Sequence, residues 1–411
     1  MKERRLGTTN LDLTTVGLGT WAIGGPWQVG WGPQDDGIAV DAIIKALELD
    51  INWIDTAPIY GCGHSEELVG MALKQTSLKP YIATKCGLLW NDKREKVNCL
   101  KKDSIKQECY NSLQRLGIDV IDLYQMHRPV PDEDIEQAWE QMAQLREQGL
   151  VRWLGVSNCT VEQMERLRKI HPIHSVQPTY SMLHRDIEAD LLPYCIENDI
   201  GVIVYSPMQR GLLTGKFSSA RLAALAPDDH RRSHTDFQEP RFSKALQLVE
   251  QLRPIAEKTG HTCAQLAISW TLYRTGVTAA IVGARSPEQI EETASASDYI
   301  LSERDMQQIE KILAKLFSDD SAGGTDTAGS TSVADSAGNT DSSGSTGIAD
   351  RVRDTNRADS TGSADGADRT DSAGSANTEN NSNKIGIVEI QDIQDKDGNG
   401  KGQNKLYKPA R

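Results

Sequence analysis

The sequence contains no pair of cysteines at the spacing of a zinc site or a redox motif. Its cysteines are scattered along 411 residues, at Cys62, Cys86, Cys99, Cys109, Cys159, Cys195 and Cys263. This spacing fits neither a metal site nor a disulfide framework. We therefore expect reduced thiols and no bound metal. Cys86 is typical of a small buried strand residue, despite its neighbour Lys85, and we assign it no role.

A long apolar run and a basic surface are also missing. No apolar stretch reaches bilayer length, and residues 1–13 lack the apolar core of a leader peptide. The formal net charge of −13 argues against binding to nucleic acid or to an anionic membrane, because both need clustered Lys and Arg. With 38% hydrophobic residues, the chain can bury a sizeable core. The sequence thus predicts a cytoplasmic globular protein with a small-molecule partner, and it leaves the oligomeric state open.

The hydrophobic periodicity of the chain ends near residue 317. Beyond it, Ser, Ala, Gly, Thr and Asp recur in loose repeats such as Asp-Ser-Ala-Gly, and such a stretch cannot bury enough apolar surface to offset its ordering entropy. We predict a folded domain over residues 1–316, a low-complexity disordered segment over residues 317–383 and a short disordered extension over residues 384–411. A calcium-loop pattern begins at Asp395, but its twelfth position is Leu406 instead of the bidentate glutamate, so we expect no calcium site.

Before residue 317, short β-rich runs alternate with amphipathic helical stretches. Capping boxes at Thr160 and Ser302, and Pro287 in a first turn, mark helix starts. The predicted strands cover residues 16–21, 51–57, 81–87, 120–127, 153–158, 175–181, 201–208 and 279–284. Their nearly all-apolar composition is expected for a parallel sheet covered on both faces. Eight β/α units are the number that a closed barrel needs, so we predict the α/β class and a (β/α)8 TIM barrel with a disordered C-terminal tail.

A doubly wound open sheet is the rival architecture. It would usually carry G-x-G-x-x-G after its first strand, whereas Gly17-Leu-Gly19-Thr-Trp-Ala lacks the third glycine.

Four polar residues follow three neighbouring strands of the predicted barrel. Asp55 and Tyr60 follow the second strand, Lys85 ends the third and His127 ends the fourth. The carboxyl ends of barrel strands carry the working residues, so these four should converge on one rim. An ammonium beside a tyrosine stabilises its phenolate, so Lys85 should bring the pKa of Tyr60 from about 10 toward the working range. Asp55 would fix Lys85, and His127 would donate a second hydrogen bond to a carbonyl oxygen.

The sequence resembles the aldo-keto reductase superfamily over residues 4–315. Asp55-Thr-Ala-x-x-Tyr60-Gly61, the Lys85 of the third strand and the His127 of Gln-Met-His127 look like that family's catalytic tetrad. Further matching stretches are Gly155-Val-Ser157-Asn158, Gln177-Pro-x-Tyr180-Ser, Tyr205-Ser-Pro207, and the runs 210–216 and 283–289. The loop Asp228-Asp-His-Arg-Arg, with Phe237-Gln-x-Pro240-Arg-Phe242, resembles the bacterial branch of general stress and inositol-cluster reductases. The resemblance implies an NADPH-dependent oxidoreductase that reduces an aldehyde, ketone or sugar carbonyl to an alcohol, with Tyr60 as general acid.

The resemblance also implies which residues hold the cofactor. They are Thr20, Trp21, Asp55, Ser157, Asn158, Gln177, Tyr205, Ser206, Pro207, Leu213, Gly215, Lys216, Gly283, Arg285, Gln289 and Glu292. The polar side chains of the fifth and sixth strands suit the amide of a nicotinamide, and Tyr205 offers a flat face to its ring. Lys216 and Arg285 follow the seventh and eighth strands, where barrels commonly place a phosphate. Because a fixed guanidinium would favour the extra 2′-phosphate, we expect NADPH/NADP+, with NADH as the alternative.

The substrate side of the predicted site is aromatic. Trp21 at the end of the first strand and Trp90 after the third strand are expected to bind substrate together with Tyr60 and His127. Trp27 and Trp31 are further candidates for the pocket wall, whereas Trp53, Trp139 and Trp270 lie within predicted strands or helices and should be core. We identify no basic cluster on these loops that demands an anionic substrate, so a neutral aldehyde, ketone or sugar is the expectation.

Two other functions remain open at this point. A lysine at a barrel strand end can attack carbonyl groups, so Lys85 could serve a Schiff-base aldolase. Barrels that resemble this one also attach to channel proteins as cofactor-sensing regulatory subunits of low turnover. The sequence has no dedicated interaction helix at its amino terminus, which argues mildly against the second alternative.

Overall fold

A computed structural model describes residues 1–227 and 229–317 of the chain. In chain order the strands are β1 (Glu3–Arg5), β2 (Asp12–Thr14), β3 (Val16–Gly19), β4 (Trp53–Asp55), β5 (Tyr81–Cys86), β6 (Leu88–Trp90), β7 (Lys96–Asn98), β8 (Ile121–Met126), β9 (Val151–Ser157), β10 (Ser175–Gln177), β11 (Gly201–Tyr205) and β12 (Val277–Gly283). Eight of them form a closed parallel barrel in the order β3–β4–β5–β8–β9–β10–β11–β12. The barrel closes where Val282 of β12 pairs with Leu18 of β3. The predicted (β/α)8 barrel is therefore confirmed, and closure excludes the open doubly wound sheet.

Helices cover the outside of the barrel. They are α1 (Asp36–Glu48), α2 (His64–Gln75), α3 (Lys102–Leu116), α4 (Ile135–Glu147), α5 (Val161–Arg168), α6 (Leu191–Glu197), α7 (Ser219–Ala223), α8 (Arg241–Lys258), α9 (Cys263–Tyr273), α10 (Pro287–Ala294) and α11 (Glu303–Phe317). Thr160 and Gln163 form the predicted capping box of α5, and Pro287 occupies the first turn of α10. Before α11, the Asp305 amide donates to Ser302 Oγ at 3.1 Å, which is one half of the predicted capping box, and the Asp305 carboxylate accepts from the Ser302 hydroxyl at 2.6 Å. Trp139 and Trp270 are buried on α4 and α9, which confirms them as core residues.

The amino-terminal hairpin β1–β2 closes one end of the barrel. Its register pairs Arg4 with Leu13, and Leu6, Leu11 and Leu13 pack with the buried side chain of Trp53 in one apolar cluster. The Arg4 guanidinium donates to the Val277 carbonyl oxygen at 2.7 Å, at the first residue of β12. The hairpin therefore covers the amino-terminal ends of the barrel strands. The loops at the carboxyl-terminal ends of these strands are not covered by it and can form a binding site.

The observed strands end earlier than predicted at the carboxyl side. The chain leaves the extended conformation as soon as it reaches the rim, with φ of +89° at Gly87, +59° at Asn158 and +61° at Ser206. These residues therefore belong to rim turns and not to strands.

The predicted tail falls almost wholly outside the described residues. Phe317, the first residue of the segment predicted to be disordered over residues 317–383, is instead the last residue of α11. The rest of that segment and the extension predicted over residues 384–411 lie outside the described ranges. No helix within residues 1–227 and 229–317 is long and apolar enough to cross a lipid bilayer.

Candidate active site

The four predicted rim residues lie together at the carboxyl end of the barrel. Asp55 ends β4 and Lys85 lies near the end of β5, while Tyr60 and His127 lie in the loops after β4 and β8. Lys85 Nζ donates to Asp55 Oδ2 at 2.6 Å and to Tyr60 Oη at 3.1 Å. It also donates to the Thr56 carbonyl oxygen at 2.9 Å. Because β4, β5 and β8 are neighbouring parallel strands, these side chains come from three elements to one place.

Burial and charge act in opposite directions on Lys85 and Tyr60. Burial disfavours the charge of Lys85, but the negative charge of Asp55 and the hydrogen bonds outweigh it and raise the pKa of Lys85. For Tyr60, burial raises the pKa, and the charge of Lys85 lowers it by a smaller amount. The predicted net lowering of the Tyr60 pKa is therefore wrong: Lys85 acts in the expected direction, but desolvation of the phenol is the larger effect. At neutral pH the pair is an ammonium beside a protonated phenol.

His127 is held as a neutral imidazole beside Tyr60. Burial, and then the positive charges of Lys85, Arg128 and Lys96, lower the pKa of His127 well below its ordinary value. Its ring stands edge to face with the ring of Tyr60, with centroids 5.7 Å apart. A neutral imidazole carries one N–H donor, so His127 can donate a hydrogen bond to an oxygen atom without supplying a charge.

A buried amide network holds the second oxygen atom of Asp55. Gln177 Nε2 donates to Asp55 Oδ1 at 2.7 Å and to Gln125 Oε1 at 3.1 Å, and Gln125 Nε2 donates to Asp55 Oδ1 at 3.2 Å. Sequence reasoning missed Gln125. The signal was available, because Gln125 lies two positions before His127 within the strand predicted over residues 120–127, and alternate residues of a strand share a face.

The residues predicted to hold the nicotinamide amide form one hydrogen-bonded group next to His127. Tyr205 Oη donates to Asn158 Oδ1 at 2.9 Å, and Asn158 Nδ2 donates to the His127 carbonyl oxygen at 3.1 Å. Ser157 Oγ donates to the Gln177 carbonyl oxygen at 2.8 Å. Amide donors and acceptors beside a tyrosine ring fit the polar carboxamide and the flat ring of a nicotinamide.

A second predicted group lies in the loops after β11 and β12. Ser206 and Pro207 follow β11 directly, and Lys216 forms an ion pair with Glu292 of α10. Gly215 has a φ of +75°, and its carbonyl oxygen accepts from Arg253. Leu213 is different, because it is fully buried among apolar side chains. Because Lys216 already forms an ion pair with Glu292, a phosphate that binds there would contact an ammonium whose charge Glu292 neutralises.

Arg285 lies across the barrel mouth against the loop after β3. Its guanidinium donates to Gln34 Oε1 at 2.6 Å, to the Trp31 carbonyl oxygen at 3.3 Å and to the Pro33 carbonyl oxygen. Its backbone amide donates to Gln289 Oε1 at 2.9 Å. The acceptors of the guanidinium are neutral, so Arg285 keeps a positive charge that fits a phosphate group.

Two other predicted cofactor residues have mainly structural contacts. Thr20 is fully buried, and its hydroxyl donates to the Asp55 carbonyl oxygen at 3.2 Å and accepts from Ser65 Oγ at 2.7 Å. Gly283 is paired with Gly19 across the closure of the barrel. Both therefore shape the rim at the β3–β4 and β12–β3 junctions.

Aromatic side chains form a wall beside Tyr60. Trp21 lies edge to face with Trp31 at 5.2 Å and with Trp27 at 6.5 Å, and Trp27 lies 6.3 Å from Tyr60 between ring centroids. Trp90 packs against the same apolar cluster, which contains Tyr60. The structure thus brings together the four tryptophans that were expected to line a pocket.

Metal chemistry finds no support in the described part of the chain. Residues 1–227 and 229–317 contain no group of three or more His, Cys, Asp or Glu side chains that could hold a metal ion. Cys86 is buried and its burial raises the pKa of the thiol well above the ordinary value, which fits the inert role expected of it.

The chain is similar to known proteins over most of its length. The chain is 38% identical over 322 residues to the aldo-keto reductase YhdN of Bacillus subtilis, which covers 78% of this chain and 96% of the relative. It is 36% identical over 320 residues to an NADH-specific methylglyoxal reductase of Escherichia coli, covering 74% of this chain and 96% of the relative. Among solved structures, a glycerol dehydrogenase from Gluconobacter oxydans superposes with a TM-score of 0.70 at 37% identity, covering 76% of this chain and 95% of that one.

The family assignment rests on most of the folded part of the chain. The model of the aldo/keto reductase family matches residues 15–314, which span the barrel from β3 to α11. The chain therefore belongs to the aldo/keto reductase family of oxidoreductases.

Proposed function

We propose that this chain reduces the carbonyl group of an aldehyde, ketone or sugar to an alcohol, with a nicotinamide as hydride donor and Tyr60 as general acid. The observation that supports the proposal most is the buried set of Asp55, Lys85 and Tyr60, in which a charged ammonium lies 3.1 Å from a protonated phenol. Such a pair can give up a proton and then stabilise the phenolate that remains.

The chemistry divides between the cofactor and the side chains. When bound, the nicotinamide supplies a hydride to the carbonyl carbon. Tyr60 donates its proton to the carbonyl oxygen, so that the products are an alcohol and a phenolate, and Lys85 stabilises that phenolate. His127 donates a hydrogen bond to the same oxygen while negative charge develops on it. Asp55 keeps Lys85 in place, and Trp21 and Trp90 contact the substrate.

For the cofactor we propose NADPH in preference to NADH. The positive charge of Arg285, which is bonded to neutral acceptors, supports this choice. The Escherichia coli relative is NADH-specific, so both cofactors belong in the assay. The proposed cofactor contacts are those of the nicotinamide group at β9–β11 and of the loops after β11 and β12. We further propose that the enzyme acts on a small molecule in the cytoplasm, a reducing compartment in which its seven free thiols would stay reduced.

The Schiff-base alternative conflicts with the charge of Lys85. An amine attacks a carbonyl only when it is neutral, whereas Asp55 and Tyr60 raise the pKa of Lys85. The other alternative is a regulatory subunit of low turnover. A measurement of the turnover number distinguishes such a subunit from an enzyme.

A panel of aldehydes and ketones, assayed by the absorbance of NADPH and of NADH, tests the proposal. We expect cofactor oxidation in step with alcohol formation, and we expect Tyr60→Phe to lower kcat by about 10²- to 10⁴-fold while the fluorescence of bound NADPH is retained. Near-normal turnover of Tyr60→Phe would remove Tyr60 from the mechanism. Substrate trapped on Lys85 by borohydride without cofactor oxidation would favour the aldolase, and tight binding with feeble turnover would favour the regulatory subunit.

A further inference from the structure

Arg128 is a partly buried cation at the catalytic end of the barrel. It follows His127 directly, in the loop after β8. Within residues 1–227 and 229–317, its guanidinium makes no hydrogen bond or ion pair with another side chain or carbonyl oxygen. Its charge nevertheless acts on the site, since it lowers the pKa of His127 and opposes the rise that burial causes in the pKa of Tyr205. The guanidinium thus lies within electrostatic reach of both rings.

Arginines with a structural role in this protein look different. Arg115, Arg166 and Arg185 are also partly buried, and each is paired with a carboxylate at 2.7–2.8 Å. Arg128 differs from these three, because no carboxylate within residues 1–227 and 229–317 pairs with it. Its guanidinium can therefore bind an anionic ligand.

Other cations lie on the same side of the mouth. Lys96 of β7 is close enough to lower the pKa of His127, and Arg94 Nη2 donates to the Gly61 carbonyl oxygen at 3.0 Å, next to Tyr60. The nearby carboxylate of Asp55 is neutralised by Lys85. Arg128 is thus one of three basic residues in this part of the rim. Clustered basic residues attract anionic ligands and raise their rate of association.

The cofactor phosphates do not account for Arg128. The predicted phosphate-binding residues Lys216 and Arg285 follow β11 and β12, which are three and four strands away from β8 around the closed barrel. Arg128 instead acts on His127 and Tyr205, at the end of the site where the carbonyl would react.

We infer that Arg128 binds an anionic group of the substrate, so that this enzyme is built for aldehydes or ketones that carry a carboxylate or a phosphate. The inference rests on the proposed reductase function, and it replaces the neutral substrate expected from the sequence. A guanidinium can hold either anion through two parallel N–H donors. That contact orients the carbonyl toward Tyr60 and His127 from a fixed distance.

Matched pairs of carbonyl compounds test the inference. The full chain is assayed with 4-carboxybenzaldehyde against 4-formylbenzamide, which differ in charge and hardly in size, and with glyceraldehyde 3-phosphate against glyceraldehyde. We expect kcat/KM to be higher for one or both anions by about tenfold or more, and Arg128→Gln to lower that advantage by roughly 10- to 100-fold, mainly through KM. The neutral partners should change by less than about twofold. Whichever anion loses its advantage in Arg128→Gln identifies the preferred group.

Two variants keep the result interpretable. Arg128→Lys retains the charge without the two-donor fork and should recover part of the advantage. Arg152→Gln removes one positive charge near the start of β9, at the opposite end of the barrel, and should leave the preference unchanged. Equal kcat/KM for the charged and the neutral compound of each pair would overturn the inference. Reduction of the neutral compounds would in that case still support the proposed reductase function. An Arg128→Gln variant that loses NADPH affinity and keeps the anion preference would overturn it too, because Arg128 would then serve the cofactor.

Discussion

The ammonium of Lys85 is completely buried, and it keeps its charge because oxygen atoms surround it. Asp55 supplies a full negative charge at 2.6 Å, and Thr56 and Tyr60 supply two further oxygen atoms. An unpaired ammonium in this position would lose its proton, since desolvation of a buried charge costs several kcal/mol. The charge of Lys85 thus depends on the orientation of one carboxylate.

That orientation depends in turn on Gln125, which leads to a prediction at the residue scale. Gln125→Leu removes a hydrogen bond of 3.2 Å to Asp55 Oδ1 and one acceptor of Gln177 Nε2, so that Asp55 Oδ1 keeps only the bond from Gln177 in this network. We expect kcat to fall about 10- to 100-fold, with little change in KM or in NADPH affinity. Only the protonated form of Tyr60 can donate a proton, so the rate of reduction is lost as pH rises through the pKa of Tyr60. A less well-held Lys85 lowers that pKa less, so the alkaline limb of the pH profile should move to higher pH.

Gln141→Leu is the control for the loss of a buried amide. Gln141 lies on α4, away from the rim, so its removal should leave the pH profile unchanged. If Gln125→Leu lowers the melting temperature as Gln141→Leu does and leaves kcat and the alkaline limb in place, Gln125 is part of the packing alone.

The sequence predicted where Asp55, Tyr60, Lys85 and His127 lie, because parallel strands of a barrel end at one rim. It did not predict that burial raises the pKa of Tyr60 more than the charge of Lys85 lowers it, because the effect of burial depends on how completely the phenol is removed from water. The partners of Arg285 were also beyond reach, since Gln34 is 251 residues away along the chain. Charge and type of side chain can be recognised from local sequence, whereas desolvation and distant partners need the assembled structure.

At the scale of elements, the loop that carries Tyr60 is packed backbone to backbone against the loop after β3. Gly61 has a φ of +65°, and a Cβ atom at this position would lie 1.9 Å from the Gly24 carbonyl oxygen. The two loops can approach this closely because neither glycine has a side chain. The position of Tyr60 is therefore tied to the loop that carries Trp21 and Trp27.

Gly61→Ala should separate these loops. We expect a loss of stability and a fall in kcat, because the displaced loop moves Tyr60 away from Lys85. Gly149→Ala is the matched control: its φ is +78°, and a Cβ atom there would have no neighbour within 4 Å. It should cost only the strain of a left-handed conformation, about 1–2 kcal/mol in the free energy of unfolding, with kcat unchanged. Thermal melts and steady-state kinetics measure both, and equal kcat in the two variants would show that the loop tolerates the collision without moving Tyr60.

The elements themselves were predictable and their ends were not. Apolar runs of strand length separated by capped helices identified all eight barrel strands. Their carboxyl ends were placed too far along the chain, because residues such as Asn158 look like strand residues locally but adopt a φ of +59° at the rim. A second capping box, formed by Thr262 and Gln265 before α9, went unrecognised because the helix that it starts is apolar on all sides.

At the scale of the whole molecule, the catalytic unit should be independent of the tail. The family match ends at residue 314 and α11 ends at Phe317. We predict that removing residues 318–411 leaves the melting temperature and kcat/KM within about twofold of the full chain, because the site and its supporting elements precede the cut. A chain cut after residue 302 is the control. It also lacks α11, whose Met306, Ile309 and Leu313 are buried, and it should unfold at a clearly lower temperature. Loss of folding with the first cut would place the boundary of the folded domain further along the chain.

The hairpin of Glu3–Arg5 and Asp12–Thr14 affects the order in which ligands bind to the enzyme and leave it. Because its leucines close the amino-terminal end of the barrel, a molecule that reaches Lys85 must enter from the opposite end, beside Trp21 and Trp27. The hydride donor, the carbonyl compound and the alcohol therefore share one entrance. The ligand that lies deeper in the barrel must bind first and leave last. The closure of the amino-terminal end of the barrel therefore determines the order of binding and release.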